Sequence, residues 1–160
     1  ARKLFDWCRE TDTLLMYASS RAVAGEYWEN PYAMSKWINE VMAPPNSIGM
    51  RFTTVYGENS RPDMMYRMLE DKTATYVTNH TRDWIHVEDV CSAIRCLSSS
   101  TIRGPVSVGT GVSVSVKELA NKMGMSHLPV RELTPGERQD NTADVTLLCS
   151  TGWNPTHKLL

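Results

Sequence analysis

The run Leu14-Leu15-Met16-Tyr17-Ala18 is apolar at every position, and that continuity constrains the fold more than any other feature. A strand with one wet face alternates apolar and polar residues, whereas an unbroken run predicts a parallel strand covered on both faces, central in its sheet. An amphipathic helical pattern, Ala1, Leu4, Phe5 and Cys8, precedes it. Asn30-Pro31 follows, a side-chain cap with proline at the first helical position. The helix so opened must end at Pro44-Pro45, and its stripe Met34, Trp37, Ile38, Val41 and Met42 is expected to face the core.

The same alternation continues. Met50 to Tyr56 reads as a strand and Pro62 to Glu70 as a helix with Met64, Met65 and Met68 inward. Short strands are predicted over Thr75 to Thr78 and Asp83 to Val87, then a helix on Val90, Ala93, Ile94 and Leu97. Val106 to Gly109 suits a strand, and Ser115 with Glu118 forms a capping box opening a helix to about Met123. After Gly124 the pattern weakens, leaving a short helix near Thr142 to Cys149. Strands alternating with helices predict an α/β fold, a partial Rossmann-like parallel sheet with helices plus a small C-terminal α/β portion. The expected division places residues 1–60 in the sheet-forming half and 61–160 in a substrate-binding region interleaved with the last strands.

Composition narrows the function. Seventeen Lys plus Arg against eighteen Asp plus Glu leave no global field for nucleic acid or an anionic membrane, so an anionic ligand must be held by local groups. Cys8, Cys91, Cys96 and Cys149 lack C-x-x-C spacing and suit a reducing, cytoplasmic setting. No apolar run has the length of a membrane span. His80, His86, His127 and His157 show no metal-ligand spacing, so no metal is expected.

The most informative chemistry is Tyr32-Ala33-Met34-Ser35-Lys36. Residues four apart on a helix share a face, about 6 Å apart, and this face lies nearly opposite the Met34/Trp37/Ile38/Val41 stripe. A phenol with a reference pKa of ~10 becomes a useful base only beside a cation such as the Lys36 ammonium. Ser19 and Ser20 end the apolar strand at its carboxyl end, where α/β sheets bind ligands, and a hydroxyl there can share a proton with the phenol.

Tyr17-Ala18-Ser19-Ser20, Asn30 through Lys36, Arg51 through Gly57, Thr81 through Asp89, Val108-Gly109-Thr110-Gly111 and Gly152-Trp153-Asn154-Pro155 occur in this order. Together they resemble the second half of the extended short-chain dehydrogenases, the NAD-dependent epimerase/dehydratase family acting on nucleotide sugars. The resemblance implies a nucleotide-sugar substrate, NAD or NADP as cofactor, and a homodimer or association with an N-terminal Rossmann portion. It implies Tyr32 as catalytic acid/base, Lys36 as the residue that holds the nicotinamide ribose, and Ser20 as their hydroxyl partner. Ser19, Tyr32 and Lys36 would contact cofactor; Thr54 and Arg82 would contact substrate, Arg82 at the diphosphate. Asp83 and Asp89 are expected to satisfy backbone groups.

Departures from the family pattern are also specific. The sequence holds no G-x-G-x-x-G turn for a dinucleotide pyrophosphate. Eleven residues separate Ser20 from Tyr32, fewer than is usual in the family. Ala24 replaces a tyrosine, and Thr54 stands where an asparagine is common. Near Pro135-Gly136-Glu137 only Arg131 or Arg138 can supply the expected arginine. Arg21 and Ala22 replace the acidic pair of dehydratases, which favours epimerisation. The alternatives to an enzyme are a non-catalytic nucleotide-sugar-binding or assembly module, or a fragment needing a cofactor-binding portion.

Overall fold

The computed structural model describes residues 1–132 and 138–160; Pro135 to Glu137 lie outside them. In chain order the elements are α1 (Arg2–Thr11), β1 (Leu15–Ser20), α2 (Pro31–Met42), β2 (Ser47–Phe52), β3 (Thr54–Tyr56), α3 (Met65–Glu70), β4 (Val77–Thr78), β5 (Thr81–His86), α4 (Val87–Ser98), β6 (Gly104–Val108), β7 (Ser113–Ser115), α5 (Val116–Lys122), β8 (Val130–Arg131) and α6 (Thr146–Cys149). The predicted alternation is present. Its caps form as the residues require: Asn30 accepts from the Tyr32 and Ala33 amides, and Ser115 accepts from the Glu118 amide. The short β7 and β8 are not foreshadowed by the pattern.

One sheet is parallel, in the order β1-β2-β6. The central strand is therefore β2, and β1 lies at the edge of the sheet among the described residues, which corrects the expectation from its apolar run. Ala18 is exposed for that reason. Tyr17 lies opposite Gly49 in the register, where a Cβ would stand 2.5 Å from the Tyr17 hydroxyl. Only glycine leaves that ring room.

Met50 to Tyr56 is not one strand but two. The chain breaks at Thr53, whose amide donates to the Val108 carbonyl at 3.1 Å. β2 stays with β6, while β3 pairs with β5 in a second sheet that β7 joins in antiparallel fashion. Asp83, fully buried, ties this second sheet to the loop after β6 by accepting from the Thr110, Gly111 and Ala143 amides. A Cβ on Gly109 would meet the Asp83 carboxylate. Asp83 thus has the backbone role expected of it.

Two apolar clusters hold these layers. Ile48, Met50 and Val106 of the first sheet pack with Ile85 of β5, Ala93 and Leu97 of α4 and Leu148 of α6 in one, and Leu69, Val77, Trp84, Val116 and Leu119 are among those in the other. The α3 methionines only border that second cluster, and Leu69 is the buried residue of the helix.

Helix α2 is rotated from its expected orientation: of its apolar stripe Met34 and Trp37 are half-buried, Trp37 stacked on Tyr27, while the rest faces outward. Its sole buried residue is Ala33; Ile38, Val41 and Met42 are exposed. The polar face is inward instead, because Glu40 finds partners there that cancel its desolvation. Arg51 of β2 grips Glu40 with two bonds, at 2.9 and 2.5 Å, and Ser19 of β1 donates to it at 2.5 Å.

Candidate active site

The inward face of α2 carries Lys36 and Glu40 one turn apart, and each meets the carboxyl end of the first sheet. Lys36 Nζ donates to the Ala18 carbonyl at 3.3 Å and lies 5.6 Å from the centroid of the Tyr32 ring. Tyr32 itself is 55% exposed. The Lys36 ammonium lies near the Tyr32 ring, as the helical spacing predicts, on a helix that Glu40, its side chain 6% exposed, holds against both strands. Glu40 carries no local signal of a buried role in the sequence, although it continues the Tyr32, Lys36 spacing by one more turn.

Ser20 ends β1. Its hydroxyl oxygen accepts the Ala22 amide at 3.2 Å, closing a short 3₁₀ turn over Arg21–Val23 and leaving its proton to donate elsewhere. Ser19 is buried with its hydroxyl committed to Glu40, so its side chain supports the helix carrying Lys36.

A cavity of about 770 Å³ opens here, lined by Ser20, Arg21, Asn30, Thr54, Arg82 and Arg138 among others. It adjoins a second of about 390 Å³, lined by Tyr76, Trp84 and Arg131, with Thr54 and Arg82 bordering both. Thr54 accepts from Asn141 Nδ2 at 3.0 Å, and Asn141 in turn accepts the Asp83 amide at 2.6 Å. Arg82 donates to the carbonyls of Thr81 and Arg138. Of the two candidates for the arginine expected near residue 136, Arg138 borders the larger cavity and Arg131 stacks on Tyr76 at 4.1 Å in the smaller.

The larger cavity is lined by three arginines, Arg21, Arg82 and Arg138, and by three acids, Glu26, Glu29 and Asp140. Arg21 has its ε-nitrogen on the Thr142 carbonyl, while its buried Nη1 has no partner among the described residues. Burial, then the neighbouring charges of Arg138 and Arg51, lowers its pKa from the ordinary arginine value. Asp140 on the same wall is engaged by the hydroxyls of Thr142, Thr81 and Ser113. Its arginines can pair with an anionic group and its carboxylates can accept from hydroxyls.

The C-terminal segment is pinned by α4. Asp89 accepts from the Thr156 and His157 amides, as expected of a structural carboxylate, and Trp153 donates to Ser92 at 2.8 Å. No helix among the described residues is long and apolar enough to cross a membrane.

Comparison with known proteins places this architecture. Protein CapI of Staphylococcus aureus is 35% identical over 107 residues, 50% of this chain and 32% of that protein. An uncharacterized protein of Methanocaldococcus jannaschii, MJ1055, is 33% identical over 119 residues, 57% of this chain and 36% of its own length. The chain thus spans about a third of these curated relatives. Among solved structures, MoeE5 in complex with UDP-glucose and NAD superposes with a TM-score of 0.82 at 26% identity, covering 99% of this chain and 65% of MoeE5. The family model described as NAD dependent epimerase/dehydratase matches residues 1–109, and the chain belongs to that family.

Proposed function

We propose that this chain carries the acid/base and substrate-binding part of an NAD(P)-dependent nucleotide-sugar epimerase, with Tyr32 as the proton-transfer group. The observation that carries the reading is Lys36, bonded to the Ala18 carbonyl near the end of β1 and 5.6 Å from the Tyr32 ring, on the helix whose Ala33 lines a cavity shared with Ser20, Arg82 and two further arginines.

The residues present fit the nicotinamide side of a dinucleotide. Lys36 spends one N–H on Ala18, and its other donors suit ribose hydroxyls; the pyrophosphate turn is not in this sequence. When bound, the nicotinamide supplies a reversible hydride acceptor. The chain's own part is proton control. Tyr32, with the Lys36 ammonium over its ring, takes the proton from a sugar hydroxyl as the carbon beneath it gives up hydride, and returns that proton to the same oxygen when hydride comes back to either face of the carbon. Ser20 donates a hydrogen bond that orients that hydroxyl. Arg82, between the two cavities, suits the diphosphate, with sugar toward Ser20 and base toward Tyr76 and Trp84. Thr54 borders the sugar. Arg21 and Ala22, in place of an acidic pair, favour epimerisation over loss of water.

A second copy of the chain is the proposed partner for the outward face of α2. Leu4 and Trp7 of α1 are exposed like Ile38, Val41 and Met42, and Arg9 of α1 bonds the Met42 carbonyl, so the two helices are adjacent.

The test is turnover of UDP-glucose and UDP-glucuronic acid with NAD, before and after Tyr32→Phe. The substitution should lower kcat at least about 100-fold while changing KM far less. Full activity in Tyr32→Phe overturns the assignment; binding of the sugar nucleotides without NAD binding or turnover favours the non-catalytic module.

A further inference from the structure

His86 ends β5 and His157 lies near the C-terminus, yet their rings stack with centroids 4.2 Å apart. Glu88 joins them from the first turn of α4. One donor atom from each of His86, Glu88 and His157 lies within 4.8 Å of the other two.

The hydrogen bonds define which lone pairs are available. His157 Nδ1 lies 3.1 Å from a carboxylate oxygen of the buried Asp89. A carboxylate only accepts, so Nδ1 bears a proton. The ring's Nε2 sits 3.0 Å from Glu88 Oε2. A cation belongs between them, either a second ring proton, favoured by the Asp89 and Glu88 carboxylates that raise the His157 pKa, or a metal ion that displaces it. His86 adds a third donor atom within the same 4.8 Å, while its Nδ1 caps α4 by accepting the Glu88 amide at 3.3 Å.

We propose that His86, Glu88 and His157 bind a divalent transition-metal ion, with the chemistry of Zn²⁺. Two imidazoles and one carboxylate, with water in the fourth position, form a recurrent zinc donor set and discriminate against Mg²⁺ and Ca²⁺, which favour all-oxygen sites. Bonds of about 2.0–2.1 Å bring tetrahedral ligands to ~3.3 Å from one another. Glu88 and His157 are exposed, so their side chains close that distance without disturbing the core. Asp89 supplies the outer carboxylate that orients a ligating histidine. The ion would cross-link the segment after Trp153 to the start of α4. Residue spacing alone hides the site, because His157 reaches it only through the docking of residues 153–157.

The metal-free 160-residue chain is titrated calorimetrically with ZnCl₂ and, separately, MgCl₂ near neutral pH, with melting temperature as a second readout. One equivalent of Zn²⁺ should bind and raise the melting temperature, while Mg²⁺ should do neither. Glu88→Gln and His157→Asn, both at exposed positions, should each weaken Zn²⁺ binding at least about tenfold. Cys91→Ser should keep it, which rules out the exposed thiol as the ligand. Absence of stoichiometric heat overturns the proposal and leaves a ring proton as the shared cation; undiminished binding in either ligand variant overturns it equally.

Discussion

Helices α2 and α4 have the same length and similar local grammar, yet they bury opposite kinds of face. Both run for twelve residues and open on a side-chain cap, Asn30 in one and His86 in the other. α4 turns Val90, Ala93 and Leu97 into the core, as hydrophobic burial dictates. α2 turns Lys36 and Glu40 toward the sheet and leaves Val41 63% exposed. The difference lies in what each meets: α4 covers an apolar cluster, whereas α2 covers the polar end of β1 and β2, where Ser19 and Arg51 satisfy Glu40. A helix can bury its polar face only where every charge on it has a partner.

The largest effect should come from breaking that partnership. Glu40→Ala leaves Arg51 without its carboxylate and should cost about 3–5 kcal/mol in chemical denaturation, with loss of the Lys36 contact to Ala18. A cost below about 1 kcal/mol would mean that the pair behaves as a surface bridge and that α2 is held by something else.

A pair of truncations sharpens the contrast next. Leu97→Ala on α4 removes a fully buried side chain and should cost about 2–5 kcal/mol, whereas Val41→Ala on α2 should change monomer stability by no more than about 0.5 kcal/mol. Equal costs in urea titrations would erase the distinction between the helices. A concentration-dependent cost for Val41→Ala would instead support a second copy on the outer face.

The smallest effect is a pH dependence centred on Tyr17. Burial, then the Glu40 charge, pushes its pKa up to about 12 against the opposing pull of Arg51. A raised folded pKa means that the folded state holds the proton longer. The stabilisation is therefore complete below pH ~10 and is lost as pH rises toward about 12. Tyr17→Phe should lose less stability than the parent across that interval; parallel curves would show that the Tyr17 hydroxyl does not sense Glu40.

Much of the fold is legible in the sequence because its signals are local. Asn30-Pro31 and Ser115-x-x-Glu118 mark helix starts through short-range amide capping, and the four-residue spacing of Tyr32 and Lys36 forecasts their proximity on helical geometry alone. The break at Thr53 is not legible, since strand-forming residues continue without interruption from Phe52 through Val55 and hide a change of sheet that depends on Val108. Glu40 is equally hidden, because a glutamate within a helix looks like a solvated residue until its partners on two strands are known.

What the order of residues settled for this protein is the menu of elements, the capped helix and the juxtaposition of one phenol with one ammonium, all consequences of backbone periodicity within a few residues. Which face of α2 turns inward, which strand is central and whether His86 meets His157 were decided only in three dimensions. Those outcomes depend on pairing between residues far apart in the chain, Ser19 and Arg51 with Glu40, β6 with β2, and Asp89 with the C-terminal segment. Burial costs a polar group its hydration wherever it occurs, and only the assembled fold shows whether a partner is there to offset the loss.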